Sequence, residues 1–260
     1  MRRAVADLAH ATAFLTRLPV PARLFGAVPL DFGRQCWAFP VVAAFVGALA
    51  AAVGATLGAN PALAALAVVA VGTVLTGALH EDGLADCVDG FWGAHGRERR
   101  LAIMRDSRIG TYGVLALVLV TIARIAAIAP LAGDAVLMLA ALAAAGAFGR
   151  AALVWHWVAL PAARSAVDAG RESLATRFGR PVRTQAFAAT AVALAILAGC
   201  AFATGPVIAV AALAASLAAA GATWLAWAKI GGFSGDTLGA TALAAETAFL
   251  CALSLLTSAP

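Results

Sequence analysis

Long apolar stretches alternate with short polar segments along most of the chain. Seven of these stretches approach the roughly 20 residues that an α-helix needs to cross a bilayer. They are Cys36–Leu57, Pro61–Leu79, Tyr112–Leu131, Ala135–Leu160, Thr184–Thr204, Pro206–Ala228 and Leu238–Leu256. The pattern predicts an all-α fold, a polytopic membrane helix bundle with about seven transmembrane helices that forms one domain over residues 1–260.

The segment before the first apolar stretch has the pattern of a helix lying flat in the membrane interface. A mostly apolar row recurs at spacings of three and four, at Val5, Leu8, Thr12, Leu15 and Leu18. Polar residues occupy the other side of this helix, at Arg3, Asp7, His10 and Arg17. Because these residues interrupt the apolar core that a cleaved signal peptide requires, we predict that the segment is retained.

Composition supports a membrane protein and excludes several other classes. Hydrophobic residues make up 63% of the chain and charged residues only 12%, against about 25% charged in soluble domains. The net charge of +5 resides mainly in short loops, as expected for contact with anionic lipid, so we predict no nucleic-acid partner. The four cysteines are far apart and form no CxxC pair, which argues against a zinc site or a disulfide framework.

The arginines predict the orientation of the bundle. Five precede the first apolar stretch, five lie between Arg97 and Arg108, and five lie between Arg164 and Arg183. Cytoplasmic loops carry such an excess of basic residues. The N-terminus, the segment His80–Gly113, the segment Arg164–Arg183 and the segment Lys229–Asp236 are therefore predicted to be cytoplasmic, with the C-terminus outside.

Acidic residues are concentrated in one place. Six of the thirteen Asp and Glu residues lie between Glu81 and Asp106. On a helix, Asp82, Asp86 and Asp89 would project within a sector of roughly 60°, because their spacings are four and three. Such crowded like charges favour a cation, and Mg²⁺ or Mn²⁺ prefers these hard oxygen ligands. A solvated acidic helix end is the alternative.

A basic and glycine-containing segment follows the acidic row. Arg105 and Arg108 could clamp phosphate oxygens, and the segment that contains Ser107 and Gly110 could present further donors to an anion. The preceding arginines are interpreted as ordinary lipid-facing residues of a cytoplasmic loop: Arg97, Arg99 and Arg100. Carboxylates beside guanidinium groups suit a metal-bound, phosphorylated substrate.

Two more residues could belong to this site. Asp236 follows a glycine-rich loop, and it could either cap the last helix or add a fourth carboxylate to the metal shell. His80 adjoins the acidic row, where it could orient a carboxylate or move a proton. Spacing does not decide whether His80 or one of the aspartates would act as the base.

The apolar stretches contain four Arg, Glu or His residues. Arg124, Arg150 and Glu246 are expected to face the bundle interior, either as a structural Arg–Glu pair or along the path of a cation-coupled transporter. His156 lies between Trp155 and Trp157 and is interpreted as part of an interfacial aromatic belt.

Five stretches occur together and in a characteristic order. The longest are HEDGLADCVDG from His80 and RERRLAIMRDSRIGTYGV from Arg97. The others are Phe14–Pro21, Pro161–Arg164 and Gly235–Ala240, with Glu246 beyond. In this combination they strongly resemble the cobalamin synthase family, the adenosylcobinamide-GDP ribazoletransferases.

The resemblance implies a Mg²⁺-dependent, multi-pass phosphotransferase of the bacterial inner membrane. Such an enzyme joins adenosylcobinamide-GDP to α-ribazole, or to its 5′-phosphate, and releases GMP in a late step of cobalamin biosynthesis. Carried over, Asp82, Asp86 and Asp89 would hold metal, and Asp236 would be an additional site carboxylate. Arg105 and Arg108 would contact phosphates. The alternative enzyme is a CDP-alcohol phosphotransferase, since that class also gathers aspartates at a cytoplasmic membrane face.

Overall fold

The computed structural model describes residues 2–163 and 179–257, and within them the fold is helical apart from one bridged pair, Ala162 and Phe233. The α-helices of these residues are α1 (Arg2–Leu15), α2 (Phe32–Gln35), α3 (Phe39–Ala55), α4 (Pro61–Thr76), α5 (Leu79–Gly93), α6 (Arg97–Ile103), α7 (Thr111–Ile128), α8 (Ala135–Ala159), α9 (Arg183–Thr204), α10 (Val207–Ile230) and α11 (Gly235–Thr257). Short 3-10 helices occupy Ala22–Leu24, Cys36–Ala38 and Ala129–Gly133. Most of the predicted loop Arg164–Arg183, including Arg164, lies outside the described residues.

The predicted polytopic helix bundle is confirmed. Six helical segments of the described chain are long and apolar enough to cross a membrane: Phe32–Ala55, Thr111–Gly133, Ala135–Ala159, Arg183–Thr204, Val207–Ile230 and Gly235–Thr257. The predicted span Pro61–Leu79 differs, because α4 has only 16 residues and would measure about 24 Å at 1.5 Å per residue. Helix α4 makes a seventh span only when it is counted together with α5. The two helices are separated by a 90° bend.

Left-handed backbone at Gly77 and Ala78 produces the bend between α4 and α5. Their φ angles are 64° and 58°. The positive φ at Gly77 favours glycine, and a side chain there would also require Arg17 to move. Ala78 occupies a region that residues with a Cβ rarely adopt. The bend turns α5 across the bundle and directs its acidic residues toward the first turn of α11.

The long helix α8 lies at the centre of the bundle and packs against α3, α9, α10 and α11. Small residues allow these helices to approach closely. A Cβ on Gly146, for example, would lie 2.6 Å from the carbonyl oxygen of Ala43. The alanine-rich stretches therefore form closely packed helices, as small residues allow in membranes.

The N-terminal helix is present, and Arg3 and Arg17 of its predicted polar face are exposed, but Asp7 is not. Asp7 is buried, and its carboxylate accepts hydrogen bonds from Arg34 at 3.1 Å and from Trp37 Nε1 at 3.2 Å. Val5 of the predicted apolar face is exposed, as a lipid-facing residue of an interfacial helix would be. Small alanines on the same face as Asp7 let α1 pack closely, so an ion pair and an indole N–H satisfy a carboxylate that the periodicity assigned to water.

Candidate active site

The predicted acidic row and the distant Asp236 meet where α5 crosses the first turn of α11. Gly83 permits this approach, because a Cβ at this position would lie 2.7 Å from the carbonyl oxygen of Asp236. Gly239 has the same role on α11, where a Cβ would lie 3.3 Å from Cα of His80. Asp82, Asp86 and Asp236 come close enough to interact electrostatically. We call these three residues the carboxylate face.

Like charges crowd together on the carboxylate face. Burial and then the charges of Asp236, Asp82 and Asp89 raise the pKa of Asp86 to about 7. The helix that carries Asp86 lies outside the six full-length candidate spans of the described residues. A cation at this face would relieve the repulsion and keep the carboxylates ionised.

Asp236 lies in the first turn of α11 but does not cap that helix. Ser234 Oγ accepts the N–H of Thr237 at 3.2 Å, and Thr237 Oγ1 accepts the N–H of Ser234 at 2.9 Å. This reciprocal pair resembles a capping box, and its Ser-x-x-Thr spacing is visible in the sequence. Of the two roles considered for Asp236, the cap is therefore excluded. Its carboxylate accepts the Ser234 hydroxyl at 3.2 Å and interacts with Asp82 and Arg105.

Asp89 is buried beside the carboxylate face and binds the start of α7. Its Oδ2 accepts the N–H of Gly110 at 2.7 Å, and its Oδ1 accepts the N–H of Gly113 at 2.8 Å. A carboxylate is favoured here by the unpaired donors and the dipole of the helix N-terminus. Asp89 therefore fixes α7 to α5, while its role as a metal ligand stays a prediction. In this structure the Gly110 N–H, predicted to contact phosphate, is already bound to Asp89.

Replacing Asp89 by alanine should lower the free energy of unfolding by about 2 kcal/mol or more, because two buried N–H groups would lose their acceptor. Asp89→Asn keeps one oxygen and should be less destabilised. Thermal unfolding in detergent would compare both with Glu98→Ala, whose exposed side chain serves as the control. An alanine variant as stable as the wild-type protein would contradict this role of Asp89.

The two predicted phosphate-binding arginines have different surroundings. Arg105 is exposed and interacts electrostatically with Asp236 at the edge of the carboxylate face. Arg108 donates to both carboxylate oxygens of Asp106, at 3.0 and 2.7 Å. These hydrogen bonds lower the pKa of Asp106 to about 2. The Arg108 side chain is 87% exposed, and Ser107 is also exposed. The arginine that interacts with Asp236 is Arg105.

Two of the arginines interpreted as lipid-facing have a structural role instead. Arg97 Nε donates to the carbonyl oxygen of Ile230 at 2.7 Å, and Arg100 Nη1 donates to that of Lys229 at 3.0 Å. Unpaired carbonyls and the dipole of a helix C-terminus favour such cations. Arg97 and Arg100 therefore fasten α6 to the end of α10, close to the loop that leads to Asp236.

The carboxylate face suits a metal that is completed by its substrate rather than enclosed by the protein. Within residues 2–163 and 179–257, no group of three or more His, Cys, Asp or Glu side chains is arranged to hold a metal ion by itself. Mg²⁺ usually takes one or two carboxylates, together with water and substrate phosphates. The hard oxygen donors of Asp82, Asp86 and Asp236, and the raised pKa of Asp86, fit that type of site.

A cluster of buried charges lies behind the carboxylate face and is called the charged cluster: Glu81, Arg124, Arg150 and Glu246. Arg124 contacts Glu81 at 3.1 Å and Glu246 at 3.7 Å, and Arg150 pairs with Glu246. The expected Arg–Glu pair is therefore confirmed and extended by Glu81. The position of Glu81 in the cluster could have been predicted. Adjacent helical residues point about 100° apart, so Glu81 does not face the same side of α5 as Asp82.

His80 belongs with the charged cluster rather than with the exposed acidic groups. It is 3% exposed, and its Nδ1 lies 3.4 Å from Arg150 Nη2. A helix that presents Asp82 to the carboxylate face turns His80 toward the bundle interior. The structure thus brings together Asp82, Asp86 and Asp236, while His80 contacts Arg150 and also lines a pocket with Asp82 and Asp236.

His156 is not part of an interfacial aromatic belt. It is 1% exposed, and its ring nitrogens lie 3.0 Å from the hydroxyl oxygens of Thr223, Thr237 and Thr241. These hydroxyls come from α10 and α11 and satisfy a buried imidazole. The interpretation from neighbouring tryptophans was wrong because only tertiary packing reveals the threonines.

Comparison with known proteins identifies the family of this chain. The family model described as cobalamin-5-phosphate synthase matches residues 7–254. Proteins named adenosylcobinamide-GDP ribazoletransferase are 41% identical in Rhizobium johnstonii, over 95% of each chain, and 43% identical in Rhizobium meliloti, over 96% of each chain. No solved structure matches this chain. The chain belongs to the cobalamin-5-phosphate synthase family.

Proposed function

We propose that this protein is an adenosylcobinamide-GDP ribazoletransferase. It joins adenosylcobinamide-GDP to α-ribazole or its 5′-phosphate, and it releases GMP. The observation that carries the proposal is the convergence of Asp82, Asp86 and Asp236 next to Arg105, in a chain of the cobalamin-5-phosphate synthase family. A nucleotide-activated diphosphate needs such a combination of metal-binding and phosphate-binding groups.

In the proposed reaction a ribose hydroxyl forms a bond to the phosphorus on the cobinamide side of the diphosphate. The bond from this phosphorus to the bridging oxygen breaks, and GMP leaves with the electron pair. A bound Mg²⁺ would supply Lewis-acid stabilisation of the phosphate charge. Asp82, Asp86 and Asp236 would hold that metal, and Arg105 would orient a phosphate. A carboxylate of this face would accept the hydroxyl proton, because His80 is buried against Arg150.

The proposed location is the bacterial inner membrane, with the N-terminus and the carboxylate face in the cytoplasm and the C-terminus outside. The arginine distribution supports this orientation. The contacts between α5 and α11 support the proposal of one catalytic domain. Soluble nucleotide substrates would then reach the site from the cytoplasm.

The test is GMP release by the purified protein in lipid nanodiscs. We expect GMP only when adenosylcobinamide-GDP, ribazole and Mg²⁺ or Mn²⁺ are all present, and no GMP after EDTA treatment. A CDP-alcohol incubated with a diacylglycerol acceptor provides the competing reaction, which should yield no CMP. Metal-independent GMP release would overturn the metal assignment, and CMP release without GMP would overturn the substrate assignment.

A further inference from the structure

A mostly apolar pocket of about 220 Å³ opens beside the carboxylate face. Residues of α1, α2, α5, α8 and α11 line it. Asp82 and Asp236 are among the lining residues, while Phe14, Phe32, Leu153 and Trp157 supply much of its apolar wall. A group held in this pocket would therefore be next to the proposed reaction site.

Two features of the wall indicate the kind of group that fits. The rings of Phe14 and Phe32 are 4.2 Å apart between centroids, and Phe14 is 38% exposed. They can offer an aromatic surface to a planar ligand. Trp157 is 2% exposed, and its Nε1 has no hydrogen-bond partner among the described residues. A buried indole N–H usually has an acceptor, and Trp157 lines the pocket, so an acceptor atom on a ligand held there would satisfy it.

We infer that this pocket binds the base of ribazole, with Trp157 Nε1–H donating a hydrogen bond to it. The inference rests on the proposed function. The dimethylbenzimidazole base is planar and apolar, and its unsubstituted ring nitrogen is a single acceptor. The ring of this base can pack on Phe14 and Phe32, and its nitrogen can accept a hydrogen bond from Trp157 Nε1–H. With the base in the pocket, the attached ribose reaches toward Asp82 and Asp236, where a hydroxyl is required.

The other parts of the two substrates match this pocket less well. A corrin ring with its amide side chains is far larger than 220 Å³. Guanine carries several donors and acceptors, and those that meet the apolar part of the wall would lose their partners. The pocket therefore discriminates in favour of the acceptor substrate.

Steady-state kinetics of Trp157→Phe test the inference. With adenosylcobinamide-GDP saturating, the KM for ribazole should rise about tenfold, because a buried hydrogen bond and ring contacts are lost. The KM for adenosylcobinamide-GDP should stay within about twofold of the wild-type value. Trp224→Phe is the matched control, since Trp224 is 66% exposed on the outer surface of α10, and it should leave both constants unchanged.

Leu153→Phe gives a second readout that does not depend on the amount of folded protein. The larger side chain should narrow the pocket and so disfavour the two methyl groups of the ribazole base. The kcat/KM for a riboside of unsubstituted benzimidazole, divided by that for ribazole, should therefore rise by about tenfold or more. An unchanged ratio, or a Trp157→Phe variant that raises only the KM for adenosylcobinamide-GDP, would overturn the inference. Failure of the proposed function would differ, because the wild-type protein would then release no GMP with either riboside.

Discussion

Asp82→Asn is expected to lower kcat by at least about 10²-fold, since loss of a metal-binding carboxylate removes several kcal/mol of transition-state stabilisation. The substitution preserves size and removes only the charge. Asp82 is exposed at the edge of the pocket, so insertion and thermal stability should remain close to those of the wild-type protein. GMP release at saturating substrates and Mg²⁺, normalised to folded protein, measures the effect.

Asp134→Asn is the matched control for this experiment. Asp134 accepts the N–H groups of Val136 and Leu137 at the start of α8, and asparagine caps helices about as well as aspartate does. We expect activity within about twofold of wild type. If Asp82→Asn keeps near-normal turnover while it binds Mg²⁺ with unchanged affinity, Asp82 does not belong to the metal site.

The second large effect is expected in the charged cluster. Arg150→Met should destabilise the protein by about 3 to 5 kcal/mol, because Glu246 would lose its closest cation in a buried environment. Unfolding by heat or by denaturing detergent would measure the change. Arg108→Met is the control, since the Arg108–Asp106 pair is at the surface, where removal should change stability very little.

A double substitution separates the cost of the broken pair from the loss of side-chain packing. Arg150→Met combined with Glu246→Met removes both charges and leaves Arg124 paired with Glu81. We expect most of the stability to return, because replacing a buried ion pair by apolar groups is often close to neutral. Additive losses in the double variant would show that the Arg150–Glu246 pair is not the source of the destabilisation.

Much of the site was predictable because it depends on a local helical period. The spacing of Asp82 and Asp86 puts both on one face of any helix that forms there, and the structure has that helix. The same reasoning did not reveal that the Asp89 carboxylate binds the backbone N–H groups of Gly110 and Gly113. The helical period predicts the direction in which a side chain points from the helix axis. It does not predict which other segment of the backbone that side chain will contact.

The sequence by itself determined the membrane character, the helical class and the acidic segment, because apolar length and residue spacing depend on neighbours along the chain. Only the tertiary structure decided the assignments that depend on distant contacts. The bend at Gly77 and Ala78 directs α5 toward α11, so that Asp236 lies close to Asp82. The same bend turns His80 toward Arg150. These residues lie far apart in the sequence, so their proximity follows from packing and not from any local pattern.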